Sequence, residues 1–572
     1  MEKSIKWTGR KYIMFFLPVF SFILFASGIL IKLQIPLAEW DRVSLYAAEN
    51  WSIGINSPWL FDHPPLYAFY LTFLFKIFGP SIAAARLGNA LCILLTALLL
   101  FHFALKLYDL EASIWAASIY LLSPVSIQGI SSMDVADTSL LPLLFIVTIY
   151  AFKNIFLNQS IKNTIFLGMC IGVCLWAKIT SSIALVVSFV VGSIVLFYID
   201  GDRPKYKLLA LNTLALIFGV SFFLLTWLYL SNFLGGNEAF FYPLKTIYAS
   251  INSQFDQDVG FLKFIYTGYY FTRIIAWISP FFFLIYLISS FSTLKNVSQK
   301  DYYKKQLTLT VLFYFFGYIL IGGTNSGFPR YHAAILPLVC IIAGPFFAEF
   351  ANSLDIKQIK IIFFSSFSLV ILYFIILKDP LLFLNLDIKE MLLFKKTLFD
   401  LVKALLINFM PFYIIPLLFS GILILLLKID NNRIIITFFL IFGTLTTLIS
   451  LDVLQFIAPY RTSYQYGAEG RNELIQKVDN NIRIGDNVFG TPEFIYELKR
   501  KNIPYVGWGE WQSKERFLNF IKEKRPKAII GGLTINTYEQ LKWMLSEETQ
   551  LILSKNYSFE RIGTYYLWLR IL

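Results

Sequence analysis

The sequence predicts a mainly α-helical protein that crosses a membrane many times and ends in a small α/β domain. Hydrophobic residues make up 57% of the 572 residues and charged residues only 15%, against roughly 45–50% and 25% in an average soluble domain. The mean hydropathy is +0.64. This composition excludes a disordered chain, a soluble multidomain protein and a disulfide-rich secreted scaffold.

Long apolar runs define the membrane domain, which we predict over residues 1–455. A spanning helix needs about 20 mostly apolar residues, and this criterion gives about thirteen candidate spans. They lie near 12–33, 83–105, 112–128, 138–153, 163–178, 180–198, 208–232, 269–291, 307–322, 332–350, 360–377, 404–427 and 434–455. The boundary at Lys178 within 163–198 stays open. The first span is too long for a signal peptide and lacks a small-residue cleavage site after it.

Lysine and arginine residues in the short loops predict the sidedness of these spans. With a cytoplasmic N-terminus, the inner loops carry basic residues from Lys106 to Arg433, whereas the short outer loop at 129–137 carries none. An odd number of spans places the C-terminal tail outside. Most of the net charge of +13 is therefore explained by the lysines and arginines that anchor the inner loops, and it does not indicate nucleic-acid binding. We predict a multi-pass protein of the plasma (inner) membrane, with membrane lipids as partners.

Two outer segments have recognisable character. The first outer loop, 34–82, contains the apolar stretch 66–78, which is too short to span and includes Lys76. This pattern indicates a helix in the membrane interface. In the tail from 456 to 572, charge rises and strand-like and helix-like stretches alternate, which predicts an extracytoplasmic α/β domain. All four cysteines fall inside predicted spans, so no disulfide is expected outside.

Isolated ionisable residues gather at the outer ends of the predicted spans, where charges are costly and usually functional. The group comprises Asp41, Asp62, His63, Asp134, Asp137, Lys178, Arg330 and His332. No comparable group occurs at the inner ends. The pattern places two groups of acidic residues, one in the first outer loop and one in the loop at 129–137, opposite several cations at one membrane depth.

Several of these residues have simpler structural interpretations. Asp137 could cap the following helix, with Asp134 as a solvated neighbour. Arg330 could reach lipid headgroups. The prolines after His63 could merely end an extended segment, and His332 alone is more typical of a polar helix end than of a ligand. Lys178 is harder to explain in this way, because apolar runs flank it on both sides.

The charges together suit a reaction with an anionic, lipid-borne substrate at the outer leaflet. Cations bind its phosphate, and a carboxylate acts as general base toward an acceptor hydroxyl. When a sugar is displaced at its anomeric carbon, the phosphate leaves with negative charge, which lysine and arginine stabilise in the transition state.

Short motifs occur in a defined order along the chain. They are Asp41 with Tyr46–Ala48, His63–Leu66, Gly79 with Ala85–Leu87, Asp137–Leu140, Ala177-Lys178, and Arg330-Tyr331 with Pro337. In this order they resemble the multispanning, lipid-phosphosugar-dependent glycosyltransferases of the GT-C class. Within that class the chain looks like the dolichyl-phosphate-mannose–protein mannosyltransferase and aminoarabinose transferase group. The resemblance is detailed over about the first 180 residues and rests elsewhere on the Arg-Tyr motif, the span count and the outer domain.

The resemblance implies a role for each matched residue. Asp41 would be the general base, and Asp137 would support the site or position the acceptor. The donor phosphate would be bound by four residues: Lys178, Arg330, Arg86 and Tyr331. His63 stands where the family usually has a basic residue. The donor would be a polyprenyl-phosphate-linked sugar, and the acceptor a protein, a lipid or a glycan.

Two departures limit what the resemblance implies. The family commonly has an Asp-Glu pair at the position of Asp41, but here Arg42 follows Asp41. Glu39 is therefore left as an alternative second carboxylate. Some relatives hold a metal near this site. No cofactor is predicted here, although Asp62, His63 and His332 are the residues that could hold a divalent cation.

Two other function classes compete with a glycosyltransferase. A secondary transporter or flippase would show repeat-related halves and broken spans near the midplane, whereas the charges here lie at one face and the halves do not repeat. A non-catalytic assembly factor would use the outer domain for docking, and the convergent carboxylates count against it.

Overall fold

The structure, a computed structural model, describes most of the chain. The described residues are 9–33, 42–56, 58–59, 63–132, 136–200, 206–255, 274–275, 277–295, 302–320, 330–376, 414–429, 431–461, 470–483, 485–490, 514–532, 543–563 and 565–571. The chain divides into two compact units. The first comprises Met1–Leu33 and Ala47–Leu454, and the second comprises Gln34–Tyr46 and Gln455–Leu572.

Helices dominate the chain as far as residue 461. In chain order they are α1 (Gly9–Lys32), α2 (Arg42–Ser52), α3 (Leu66–Phe78), α4 (Ile82–Leu107), α5 (Leu110–Leu121), α6 (Pro124–Ser131), α7 (Leu140–Leu157), α8 (Ile161–Ala177), α9 (Ile179–Asp200), α10 (Tyr206–Leu234), α11 (Asn237–Phe255), α12 (Pro280–Lys295), α13 (Tyr302–Leu320), α14 (Arg330–Ala333), α15 (Leu336–Ala351), α16 (Ile356–Ile376), α17 (Ile414–Leu426) and α18 (Asn432–Arg461). A 3-10 turn, Ala136–Thr138, joins α6 to α7.

Six helices among the described residues are long and apolar enough to cross a membrane. These segments are Ile13–Lys32, Ile82–Leu107, Leu140–Leu157, Ile179–Leu196, Ala210–Leu234 and Asn432–Val453. The pair α5 and α6, bent by 49°, adds a seventh if it forms one span. The multi-pass architecture is therefore confirmed, but the predicted count of about thirteen is not. Several of the predicted spans are shorter helices, and parts of 269–291 and 404–427 lie outside the described residues.

The boundary left open at Lys178 is now assigned. Helix α8 ends at Ala177, Lys178 takes an extended backbone conformation as its C-cap, and α9 begins at Ile179. The predicted interfacial stretch 66–78 is helix α3, although its depth in the membrane stays a prediction.

Small residues allow the helices to approach closely, as is typical of membrane helix pairs. A Cβ atom added to Gly219 on α10 would lie 2.5 Å from the carbonyl oxygen of Gly168 on α8. A Cβ at Gly344 on α15 would lie 2.5 Å from the carbonyl of Ala112 on α5. These crossings fix the frame that carries the site.

The second unit contains a four-stranded mixed sheet in the order β1-β2-β4-β3. Its strands are β1 (Val488–Phe489), β2 (Ala528–Gly532), β3 (Tyr557–Ile562) and β4 (Tyr565–Arg570), with helices α19 (Arg471–Asn481), α20 (Lys514–Lys524) and α21 (Glu547–Ser554). Strands β1 and β2 are parallel, and the other pairs are antiparallel.

Both faces of this sheet are covered by buried apolar residues. Leu474 and Val478 of α19 pack with Leu567 on one face, and Phe517 of α20 packs with Trp568 on the other. Successive side chains of β4 point to opposite faces of the sheet, so Leu567 and Trp568 contribute to different cores. The predicted small α/β region near the C-terminus is thus present.

Candidate functional site

The centre of the candidate site is a buried ion pair between Asp137 and Lys178. Asp137 lies in the 3-10 turn before α7, and Lys178 lies at the junction of α8 and α9. The Lys178 ammonium donates a hydrogen bond to Asp137 Oδ2, and each side chain is only 3% exposed. The structure therefore brings together the second predicted carboxylate and one predicted phosphate-binding cation.

Local backbone geometry explains how the two side chains meet. Asp137 lies two residues before Ser139, the N-cap of α7, which makes no capping side-chain hydrogen bond. The Lys178 N–H donates to Cys174 O at 2.9 Å, and the Ser182 N–H donates to Lys178 O at 3.2 Å. Hydrogen bonds on both sides thus hold Lys178 at the break between two helices.

Asn89 ties the turn that carries Asp137 to three helices. Its Oδ1 accepts hydrogen bonds from the Tyr67 hydroxyl at 2.8 Å and the Ser139 hydroxyl at 3.0 Å. Its Nδ2 donates to the carbonyls of Ser132 at 2.9 Å and Ile130 at 3.4 Å. Because Asn89 is fully buried on α4, these bonds anchor both ends of the segment that contains Asp137.

Close backbone packing supports the same turn. A Cβ atom at Gly129 of α6 would lie 2.7 Å from the carbonyl oxygen of Thr138. Only a residue without a side chain fits this contact without displacement of the turn. The sequence analysis singled out neither Gly129 nor Asn89, although Asn89 is a conspicuous amide within an apolar span.

Arg86 holds the C-terminal end of α1. Its Nη1 donates hydrogen bonds to the carbonyls of Lys32 at 2.7 Å and Leu33 at 3.3 Å. Those carbonyls have no partner within the helix, because they belong to its last turn. Arg86 is 1% exposed. Its predicted role in phosphate binding stays a prediction beside this structural one.

A further pair of charges lies next to Arg86. Lys32 on α1 and Asp452 on α18 are both fully buried, and they interact electrostatically, as do Lys32 and Arg86. Ionisable groups inside a membrane domain are usually functional or strongly structural. Sequence analysis missed this pair, because the two residues come from the first and last predicted spans and converge only in the fold.

The short helix α14 brings the Arg-Tyr motif toward the ion pair. Arg330 and Tyr331 form its first turn, and α14 packs against both α6 and the 3-10 turn of Asp137. His332 of the same helix is buried. Its Nε2 lies 3.3 Å from Phe315 O, and its ring lies 4.8 Å from the Phe315 ring.

The remaining predicted residues are less informative. His63 precedes α3, and its carbonyl accepts a hydrogen bond from Trp59 Nε1 at 2.7 Å. Asp41, Glu39, Asp62 and Asp134 lie outside the described residues. Within the part of the chain that is described, no group of three His, Cys, Asp or Glu side chains could hold a metal ion. The predicted metal ligands other than Asp62 therefore form no such group.

The polar centre at the ends of these apolar helices lies within a segment that matches a known family model. Residues 62–229 match the family model of dolichyl-phosphate-mannose-protein mannosyltransferases. That segment contains Asp137, Lys178 and Asn89. No curated protein sequence gives a significant match.

ArnT from Cupriavidus metallidurans, solved in two states, has the same fold. ArnT from Cupriavidus metallidurans in the apo state is 14% identical, with 97% of each chain covered and a TM-score of 0.58. The same protein bound to undecaprenyl phosphate is 13% identical, with the same coverage and TM-score. The Archaeoglobus fulgidus oligosaccharyltransferase in the apo form is more distant, with 12% identity, a TM-score of 0.43, and coverage of 94% of this chain and 73% of that chain. The predicted resemblance to the mannosyltransferase and ArnT group is therefore confirmed.

Proposed function

We propose that this chain is a membrane glycosyltransferase that moves a sugar from a polyprenyl-phosphate donor to an acceptor. The buried pair of Asp137 and Lys178 carries the proposal, because it lies within the segment that matches the mannosyltransferase family model. Helix α14, with Arg330, packs beside it.

Donor binding is assigned to the cations. The ArnT structure bound to undecaprenyl phosphate supports a polyprenyl phosphate as the lipid part. Lys178 and Arg330 would hold the phosphate, with Arg86 and Tyr331 nearby. Asp137 would keep the Lys178 ammonium in place and compensate its positive charge until an anionic donor binds. Fixed cations at the leaving phosphate lower the barrier, because negative charge grows there in the transition state.

The transfer itself requires a base for the acceptor. In our proposal Asp41 takes the proton from an acceptor hydroxyl as its oxygen attacks the anomeric carbon, and the sugar–phosphate bond breaks. Glu39 is the alternative second carboxylate beside Asp41. The acceptor would be a protein, a lipid or a glycan. If a divalent cation takes part, Asp62, His63 and His332 are the side chains we propose as its ligands.

We place this reaction at the outer face of the plasma membrane, with the N-terminus cytoplasmic and the C-terminal domain extracytoplasmic. The positive-inside distribution supports this orientation. The alternative remains a transporter or flippase for lipid-linked or small polar substrates, which would bind the same anions but break no glycosidic bond.

A transfer assay with the purified full-length protein tests the proposal. A polyprenyl-phosphate sugar with a labelled glycosyl group is incubated with an envelope extract as acceptor, and label is followed out of the donor. We expect transfer by the wild type and a loss of at least about a hundredfold for Asp41→Asn, the size of general-base contributions. An active Asp41→Asn protein would overturn the assignment of the base. Solute counterflow in proteoliposomes without lipid-linked sugar would favour the transporter.

A further inference from the structure

Three lysines and several aromatic rings lie together at the ends of α4, α7 and α13. The ammonium of Lys106 lies 2.6 Å from the Tyr150 hydroxyl and 5.0 Å from the centre of its ring. Lys153 Nζ lies 5.5 Å from the centre of the Phe103 ring. The Phe103 and Tyr150 rings are themselves in edge contact at 5.8 Å. The third lysine, Lys304, lies 4.9 Å from the Tyr108 ring. These residues form what we term the basic–aromatic cluster.

The basic–aromatic cluster and the Asp137–Lys178 pair lie at opposite ends of the same helices. From Arg86 to Lys106, helix α4 rises by about 30 Å, which equals the thickness of a bilayer's hydrocarbon core. Helix α7 likewise begins beside Asp137 and carries Lys153 near its other end. The cluster therefore lies near the membrane surface opposite the candidate site.

The cluster gathers like charges whose repulsion must be offset. Lys106 and Lys153 interact electrostatically, and neither forms an ion pair with a carboxylate of the described chain. Cation–π contacts hold the ammonium groups of Lys106 and Lys153 in place, but they do not neutralise them. An external anion would.

A polar cavity of about 150 Å³ opens beside Lys304. Its lining includes Tyr108, Ser292, Thr293 and Glu349 together with Lys304. This volume would hold several water molecules, and it is large enough for a phosphate group. The aromatic side chains supply an apolar surface for the start of an acyl chain.

We propose that the basic–aromatic cluster binds the phosphate headgroup of an anionic phospholipid. The site belongs to the leaflet opposite the Asp137–Lys178 pair. Basic pockets between membrane helices recognise such headgroups, since each nearby lysine or arginine adds electrostatic attraction to the leaflet. The simpler reading is that these lysines only set topology. It does not account for the packing of all three lysines against aromatic rings.

Native mass spectrometry of the detergent-purified full-length protein tests this site, with phosphatidylglycerol and phosphatidylcholine as competing probes. We expect selective retention of phosphatidylglycerol by the wild type. The double variant Lys153→Gln/Lys304→Gln should reduce its affinity by on the order of tenfold. The control Lys357→Gln/Lys428→Gln removes the same charge from exposed lysines and should retain the lipid. The charge-preserving Lys153→Arg/Lys304→Arg should retain it as well.

Other outcomes would overturn the proposal. Equal retention of both lipids, or equal losses in the cluster and control variants, would leave topology as the lysines' role. Binding of inorganic phosphate or glycerol phosphate without phosphatidylglycerol selectivity would indicate a site for a free anion instead. If the double glutamine variant does not fold, the arginine variant and the shift in wild-type melting temperature on addition of phosphatidylglycerol decide the matter. The proposal is independent of the glycosyltransferase activity.

Discussion

At the scale of single residues, the Asp137–Lys178 pair bears on both the stability of the fold and the proposed chemistry. Two charges that are removed from water remain tolerable only while they neutralise each other. The hydrogen bonds of Asn89 to Ser132 and Ser139 anchor both ends of the segment that carries Asp137. A donor phosphate that reaches Lys178 would meet a cation already oriented by Asp137.

Removal of one partner should expose this dependence. We expect Lys178→Met to lower the free energy of unfolding by about 3–5 kcal/mol, because Asp137 is left buried and uncompensated. Thermal or denaturant unfolding in detergent would measure the loss. Arg433→Gln is the matched control. Its partner Glu349 is 63% exposed, so breaking that pair should change stability by no more than about 1 kcal/mol.

The double variant Lys178→Met/Asp137→Leu separates stability from function. Two apolar side chains of similar size often replace a buried ion pair without loss of stability. We therefore expect the double variant to recover most of the stability lost by Lys178→Met but to remain inactive in sugar transfer. Recovery of activity along with stability would show that the pair is only structural.

Asn89 gives a second residue-level prediction. Asn89→Leu should cost about 1–3 kcal/mol, because the buried hydroxyls and carbonyls that it bonds lose their partner. The sugar-transfer rate should fall further than stability, since the turn of Asp137 is released. Asn163→Ala is the control, as its side chain bonds near the surface. Unfolding and transfer assays on both variants would measure the difference; equal effects would contradict a positioning role for Asn89.

At the scale of secondary-structure elements, the site depends on short irregular joints between straight helices. The 3-10 turn after α6, the break at Lys178 and the one-turn helix α14 each interrupt a long apolar run. Non-helical backbone at the ends of membrane helices must satisfy its polar groups inside the protein. The hydrogen bonds of Asn89 and Lys178 do so here.

Gly129→Ala tests the joint between α6 and the turn. The added Cβ would meet Thr138 O at 2.7 Å, so the turn must shift and transfer activity should decrease with little loss of helix content. Gly317→Ala on α13 is the control, because a Cβ there meets nothing within 4 Å. That substitution should be neutral or stabilise by up to about 1 kcal/mol. Circular dichroism and the transfer rate would distinguish the two; undiminished activity of Gly129→Ala would show that the close contact is unimportant.

Hydropathy predicted the helices better than it predicted the short segments that connect them. The apolar stretch 66–78 became α3, and the break at Lys178 was visible in sequence as a charge between two apolar runs. The predicted span 112–128 instead bends between α5 and α6, where Pro124 begins the second helix. The Asn89 network and the Lys32–Asp452 interaction require tertiary proximity that no periodicity carries.

At the scale of the whole molecule, the two ends of one helical bundle differ in how their charges are balanced. The end with Asp137 and Lys178 holds a compensated ion pair, which we propose receives the anionic donor. The other end holds the basic–aromatic cluster. From this charge distribution we predict the orientation of the chain in the membrane and the leaflet from which each lipid would bind.

Cysteine labelling would test that orientation. A cysteine introduced at the exposed Ser558 of β3 should react with a membrane-impermeant maleimide in intact spheroplasts. One at the exposed Lys357 of α16 should react only after lysis. Of the four native cysteines, three are buried and Cys170 is half-buried, so the unmodified chain provides the background. Reversed reactivity would place the C-terminal domain in the cytoplasm and contradict the predicted topology.

The most direct test of the proposed donor site is the dissociation constant for undecaprenyl phosphate. It should be measured for the wild type and for the stable double variant Lys178→Met/Asp137→Leu in the same detergent. We predict that the wild type binds this lipid and that the double variant binds it at least about tenfold more weakly, a loss of about 1.4 kcal/mol. Equal affinities in two folded proteins would contradict the claim that Lys178 holds the donor phosphate.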